Sequence, residues 1–376
     1  MKNKNAIVIG AGIVGLATAR ALALKGFSVK VFDRSQQAVG ASIRNFGMIW
    51  PIGQPEGKLY NRAIRSRDVW RETCTASGIW HEAAGSLHLA YHEDEMQVLT
   101  ELQVLFEIQG RSVSLLNQNE IIKKYEAVNP TNLLGGLYSD DEMIIDPREA
   151  IAKLPAFFLQ RYAIEFYWGK CVSFISGQTI YIGNEEQYEA DIIFICSGAD
   201  FETLYPETFS ALPLTKCKLQ MMRLAVQPGN SRIGTALCGG LSLIHYNSFK
   251  AAPSLVDLKL RYQHEMSEYI KWGIHVMISQ NGRGELTVGD SHEYELSPDP
   301  FDKHFINKMI LDYLKQFAIF KDWSVIETWN GTYPKLTNGE TDIFISPEKD
   351  VFILNGLGGA GMTMSFGLAE EMVEGI

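Results

Sequence analysis

Short apolar runs bounded by glycine alternate with segments of helical period along this chain. The first run, Ala6-Ile7-Val8-Ile9, leads into Gly10-Ala11-Gly12-Ile13-Val14-Gly15 and then a leucine- and alanine-rich stretch over 16–24. A second run, Val29-Lys30-Val31-Phe32, closes on Asp33, so the pattern predicts strand, glycine turn, helix, strand and acid. Residues 56–77 carry Leu59, Ala63, Ile64, Val69 and Trp70 at helical spacing, with Gly78 as the stop. The arginines of that helix, Arg62, Arg65, Arg67 and Arg71, read as a solvated face. A strand over 85–91, an amphipathic helix over 93–109 and a short helix over 119–125 follow. Asp146 is placed as N-cap and Pro147 at the first position of a helix reaching about residue 161. Strands are expected over 164–168, 170–175, 179–182 and 190–196.

Between 217 and 290 the pattern changes to strand after strand: 219–226, 241–246, 274–279 and 285–289. The turn Asn281-Gly282-Arg283-Gly284 makes the last two a hairpin, and the region reads as an antiparallel sheet in a distinct domain. A long amphipathic helix over 301–320 precedes a closing strand, 351–354, then Gly356-Leu357-Gly358-Gly359-Ala360-Gly361-Met362-Thr363 and a helix over 366–373.

The spacing of the first glycine turn carries chemistry. Gly10 permits the tight turn, Gly12 lets backbone approach a pyrophosphate, and Gly15 lets helix and strand pack closely. The helix N-terminus offers free N–H groups to phosphate, and Asp33, 23 residues after Gly10, accepts from a ribose hydroxyl. A cleaved leader is the other reading of the basic Met1-Lys2-Asn3-Lys4 start, but Arg20 interrupts its apolar face and a leader needs no following strand. Ser197 and Gly198 form a small-residue turn at a strand end, where a ligand can lie against backbone. The terminal glycine unit lacks a downstream acid, so its helix N-terminus suits a group that becomes negative rather than a second dinucleotide. In the loop 40–48, Arg44 reads equally as a phosphate partner or a solvated cation.

At 376 residues the chain exceeds one ordinary core, so two domains are expected. A net charge of -10 argues against nucleic acid as partner, and no apolar run is long enough to span a bilayer. Five widely spaced cysteines without a C-x-x-C pair fit a reducing cytoplasm and neither a disulfide framework nor a metal site; none is expected.

Taken together, 10–15 with Asp33, the loop 40–48, Cys196-Ser197-Gly198-Ala199, Trp329-Asn330-Gly331 and 356–363 followed by Leu368-Ala369-Glu370 resemble the D-amino-acid oxidase, glycine oxidase and sarcosine oxidase family. The resemblance implies an α/β FAD-binding Rossmann-like domain of the glutathione-reductase type, built from 1–84, 147–214 and 324–376. An α+β substrate domain with an antiparallel sheet, from 85–146 and 215–323, would cover the flavin. The cofactor residues it implies are Gly10, Gly12, Ile13, Val14, Gly15, Asp33, Arg34, Ala41, Ser42, Arg44, Asn45, Gly47, Val172, Ser197, Gly198, Gly331 and the run Gly358, Gly359, Ala360, Gly361, Met362 and Thr363.

The activity so implied is removal of hydride from the carbon beside an amine nitrogen to flavin N5, giving an imine that hydrolyses. Tyr246, His275, Tyr333 and Lys335 are the candidates for substrate contact, with His245 and His292 behind them. Strand alternation would let only one of His245 and Tyr246 face the flavin. His275 falls roughly where sarcosine oxidase relatives carry an oxygen-activating lysine; the alternative for each histidine is a hydrogen-bonded structural group. The family's carboxylate-clamping cation would fall at Tyr333 or Thr363, neither cationic, which leaves Lys335 as replacement. The covalent-flavin cysteine would fall near Thr332, and no cysteine follows Cys238, so FAD is expected to be non-covalent. Trp329-x-Gly331-x-Tyr333 also resembles a branch tied to aminophosphonate breakdown, with Lys335 and Arg44 as phosphonate partners. The resemblance thus implies a small amine as substrate and oxygen or another molecule as acceptor. The alternatives are a glycine, sarcosine or D-amino-acid oxidase with a relocated clamp, and a non-catalytic flavin electron carrier.

Overall fold

The computed structural model describes residues 4–183 and 186–376, so the basic start at 1–3 lies outside the described residues. Its first sheet has six strands in the order Ile343–Glu348, Val351–Asn355, Ile192–Ile195, Asn5–Ile9, Ser28–Asp33 and Glu165–Trp168. All neighbours are parallel except the outermost pair, Ile343–Glu348 with Val351–Asn355. Alternate side chains go to opposite faces of each strand. Ala6, Val8, Val29, Val31 and Phe194 pack under the helices Ile13–Leu24, Lys58–Ser77, Pro147–Tyr162 and Gly361–Glu374. Ile7, Phe32, Ile193 and Ile195 pack instead against a three-stranded antiparallel sheet, Val172–Ser176, Thr179–Ile182 and Glu186–Glu189. Burial on both faces explains why these strands read as continuous apolar runs.

Gly15 shows why the first helix lies so close to its strand: a Cβ there would stand 1.8 Å from the Gly10 carbonyl oxygen. Asp146 caps its helix by accepting from the backbone N–H of Arg148 and Glu149, with Pro147 in the first turn. The helix Lys58–Ser77 ends on left-handed Gly78. Its arginines are not a uniformly solvated face. Arg62 is 4% exposed and donates to Glu371 and Asp342, and Arg67 donates to Asp141. For Arg62 and Arg65 the reason is the terminal helix Gly361–Glu374, which brings Glu370 and Glu371 to that face, whereas Arg67 meets Asp141. Helical period alone does not report such a distant partner.

A nine-stranded sheet forms the second large layer. Its path runs Glu293–Glu295, Leu214–Leu224, Leu286–Gly289, Met277–Gln280, Ala236–Cys238, Ser86–Ala90, Gly135–Ser139, Val113–Asn117, while Val325–Leu336 pairs with Leu214–Leu224. Hairpin neighbours are antiparallel, as at Met277–Gln280 with Leu286–Gly289. The pair Ala236–Cys238 and Ser86–Ala90 is the one parallel pairing described in this otherwise antiparallel sheet. These two strands are far apart in sequence, and no tight turn constrains their direction. The stretch expected as a strand over 241–246 is a 3₁₀ turn, Gly240–Ile244, anchored where Tyr313 Oη accepts from Leu241 N–H at 2.9 Å. Among the described residues, no helix is long and apolar enough to cross a membrane.

Candidate functional site

The strands of the parallel sheet all end at one place. Ile9–Gly10, Asp33, Cys196–Gly198 and Asn355–Gly356 line a cavity of about 1060 Å³ at their carboxyl ends, the usual ligand crevice of an open α/β sheet. Gly10, at φ +103°, leaves 2.3 Å between a hypothetical Cβ and the Cys196 carbonyl oxygen, so no other residue fits the turn. The helix Ile13–Leu24 starts at Gly12 with no side-chain cap and no acid in its first turn. Ser42 Oγ accepts from Ile13 N–H at 2.9 Å, and a Cβ on Gly12 would lie 3.0 Å from that oxygen. Asp33 accepts from the N–H groups of Ala11 and Ser35, which fixes its carboxylate at the mouth of the turn.

The helix Gly361–Glu374 also begins on this cavity, again uncapped and without an acid in its first turn. Its entry is held by buried contacts. Thr363 Oγ1 accepts from Trp50 N–H at 2.9 Å, and Met362 O accepts from Trp70 Nε1 at 2.8 Å. Asn355, not singled out from the sequence, joins two strand ends by donating to Gly198 O at 3.0 Å and accepting from Gly356 N–H at 2.7 Å. Two helix N-termini thus open on one space, where orphan N–H groups suit negative ligand groups.

Most residues picked from the sequence come together here. Gly10, Gly12, Ile13, Val14, Asp33, Arg34, Ala41, Ser42, Arg44, Asn45, Val172, Ser197, Gly198, Gly331 and the run 358–363 line the cavity, as do Tyr246, His275, Tyr333 and Lys335. Gly15 and Gly47 do not: Gly15 packs on Gly10, and a Cβ on Gly47 would stand 2.1 Å from Ile145 O. Arg34 pairs with Asp200 at 2.9 Å, and Arg44 donates to Asn330 O at 3.1 Å. Lys335 has no ion-pair partner among the described residues and reaches the cavity beside Gly358.

The far wall is aromatic and imidazole-rich. Because 240–244 is a 3₁₀ turn, both His245 and Tyr246 line the cavity, which corrects the one-face expectation drawn from strand alternation. His245 is open to the cavity yet enclosed by protein, with its ring centroid 3.7 Å from that of His275 and 4.9 Å from that of His292. Burial, then His292 and Lys335, holds the His245 imidazole well below its usual pKa. Burial, then the neighbouring imidazoles, does the same for His275, and His292 is lowered to about 4, chiefly by burial. Burial raises Asp290 well above the usual carboxylate range. Tyr246 donates to Met277 Sδ at 3.2 Å, and Trp50 stands beside it.

A long cavity with a glycine-and-amide end and an aromatic end defines a protein that holds an extended phosphate-bearing cofactor against a small substrate. The chain belongs to the FAD dependent oxidoreductase family, whose sequence pattern matches residues 5–375. It is similar in fold to glycine oxidase from Bacillus cereus ATCC 14579, at 15% identity, 99% of this chain, 94% of that one and a TM-score of 0.76. L-proline dehydrogenase from P. horikoshii matches at 18% identity, 99% and 92% coverage and a TM-score of 0.76. The L-alpha-glycerophosphate oxidase of Mycoplasma pneumoniae, determined with FAD bound, matches at 18% identity, 100% and 96% coverage and a TM-score of 0.74. Among curated sequences, the tRNA 5-methylaminomethyl-2-thiouridine biosynthesis bifunctional protein MnmC of Azoarcus sp. is 27% identical over 242 residues, 61% of this chain and 36% of that protein. The chain spans about a third of the length of that relative.

FAD is therefore the cofactor, and the residues present fit it. The amides of Gly12 and Val14 at the helix start, with Ser42 beside Ile13, suit a pyrophosphate, and Asp33 suits a ribose hydroxyl. The side-chain-free run Gly358-Gly359 with the helix start at Gly361 leaves room for a flat ring.

Proposed function

We propose that this protein oxidises the C–N bond of a small amine that carries an anionic group, of the (N-alkyl) aminoalkylphosphonate or amino-acid kind. The observation that carries this reading is Lys335. It is a cation without an ion-pair partner among the described residues, set on the cavity wall between the second glycine turn and the aromatic end. Such a charge suits the anionic end of a substrate, and the adjoining wall of Tyr246, Tyr333, the buried imidazoles of His275 and His292 and the cavity-facing His245 disfavours an ammonium. The names of relatives such as glycine oxidase and iminodiacetate oxidase support an amino-compound substrate, whereas that of glycerophosphate oxidase names a substrate without an amine.

When bound, FAD supplies the two-electron acceptor for the carbon beside nitrogen. The chain's own part is to exclude water with Trp50, Tyr246 and Tyr333, to hold the anion at Lys335, and to keep the amine unprotonated. The amide groups at the start of Gly361–Glu374 would favour negative charge on a cofactor held beside them. In this reading 1–84, 147–214 and 324–376 hold the cofactor and 85–146 with 215–323 cover the substrate. FAD is held non-covalently, the acceptor is oxygen or a partner carrier, and five free cysteines fit a cytoplasmic setting.

The test is anaerobic addition of amino acids, N-methyl amines, aminoalkylphosphonates and 2-hydroxy acids to the FAD-loaded protein, with flavin absorbance as readout. Bleaching by an anionic amine is expected. Bleaching by hydroxy acids alone would move the reaction to a C–O bond, and no bleaching by any amine would sink the reading.

A further inference from the structure

The aromatic end of the cavity holds more ligating nitrogen than substrate contact requires. His245 follows the turn Gly240–Ile244, His275 precedes the strand Met277–Gln280, and His292 follows the strand Leu286–Gly289. One ring nitrogen from each lies within 4.8 Å of the others. Their neighbour Asp290 sits between two of them, with Oδ1 3.1 Å from His275 Nε2 and Oδ2 4.0 Å from His292 Nε2. His275 and Asp290 are each 4% exposed.

These groups are not satisfied by one another. Both ring nitrogens of His275 and Oδ1 of Asp290 are buried without a hydrogen-bond partner; the close His275–Asp290 approach is out of alignment for a hydrogen bond. A buried polar group left so costs about 1–3 kcal/mol, and here three converge. The ring orientations are suggestive as well. His292 Nδ1 lies 3.0 Å from Gly273 O, which makes Nδ1–H the donor and leaves Nε2 as a lone pair. Asp290 stands behind His275 Nε2, which leaves Nδ1 for a ligand. A carbonyl behind His292 and a carboxyl group beside His275 resemble the way proteins orient metal-ligating histidines.

We propose that His245, His275 and His292 bind one zinc-class divalent ion, with Asp290 as positioning residue, and that its open coordination position faces the cavity and takes the substrate's anionic group. This rests on the amine reading only for the occupant of that open position. Three neutral imidazoles with one free site are a common set for such an ion. Bonds of about 2.1 Å put tetrahedral donors about 3.4 Å apart, so His245, the member open to the cavity, swings inward on binding. The ion would then share with Lys335 the work of a carboxylate-clamping cation, for which neither Tyr333 nor Thr363 can serve.

The experiment uses the FAD-loaded full chain, equilibrated with zinc chloride and desalted, with zinc and flavin measured by elemental analysis and absorbance. Cobalt substitution supplies a spectrum that reports coordination independently of activity. About one zinc per flavin is expected in the parent protein. His245→Ala and His292→Ala should weaken zinc at least tenfold, and Asp290→Asn by about 10–100-fold, all at unchanged flavin content. Flavin-loaded protein that retains no zinc, or a His245→Ala variant that retains it as the parent does, overturns the proposal. Zinc binding without bleaching by any amine leaves the metal site standing and removes the amine reading. Bleaching by anionic amines in zinc-free protein with unaltered KM removes the metal and leaves the amine reading.

Discussion

The two ends of the cavity are built from different materials. At the phosphate end the contacts are backbone: amides of Gly12 and Val14, the glycine run before Gly361, and strand ends within a few residues of their turns. At the substrate end they are side chains drawn from Trp50, His245–Tyr246, His275, Asp290–His292 and Tyr333–Lys335, segments scattered over most of the chain. The first end is rigid because a backbone has no room to yield; the second is tuned by charge and burial. Substitutions at the first should therefore abolish the holoprotein, and those at the second should alter what it binds.

The sharpest break of this contrast is Gly15→Val. A Cβ 1.8 Å from Gly10 O forces helix and strand apart, and the expected cost is about 4 kcal/mol or more. Purified protein should lose both flavin and cooperative melting; a yellow, stable variant would refute the backbone account. Arg62→Ala comes next. It removes the buried cation that Glu371 and Asp342 share; both carboxylates are partly exposed and Glu371 keeps Lys58, so the expected loss is at the low end for a buried pair, about 3 kcal/mol. Chemical denaturation should show that loss.

Glu142 tests the sheet on the substrate side. It is 1% exposed, accepts from Ile52 N–H and Ser86 Oγ, and burial pushes its carboxyl from 4.5 up to about 7. The fold thus prefers the protonated form. Its stabilising contribution is complete below about pH 4.5 and is lost as pH rises through about 7. The loss amounts to roughly 3 kcal/mol at most, at 1.36 kcal/mol per unit. Denaturation of Glu142→Gln against the parent from pH 4 to 8 should show a flatter profile, and parallel profiles would contradict the shift. The smallest effect is expected at Lys335→Met. KM for an anionic amine should rise about tenfold, some 1.4 kcal/mol, with flavin content and folding unchanged. Equal KM for parent and variant would take Lys335 out of the site.

Much of the phosphate end was legible because its signals are local. Gly10, Gly12, Gly15 and Asp33 sit in one strand–turn–helix–strand unit, where sequence spacing is spatial spacing. Gly47 shows the limit: it lies in the right loop but serves a tight approach to Ile145. The substrate end resisted such reading. Residues 241–246 looked like a strand, and only packing against Tyr313 made the segment a turn that exposes two neighbours to one cavity. Asp290 carried no signal of its own, and no spacing among residues 245, 275 and 292 marks a cluster.

The sequence by itself determined the α/β core, the glycine turns and the acid of the dinucleotide unit, because short-range periodicity and backbone sterics act within a few residues of one another. The tertiary structure alone decided that Arg62 is buried, that strands Ser86–Ala90 and Ala236–Cys238 run parallel, and that three histidines meet. Those outcomes depend on which distant faces are brought together, and a chain read in order carries no distance between residues far apart along it.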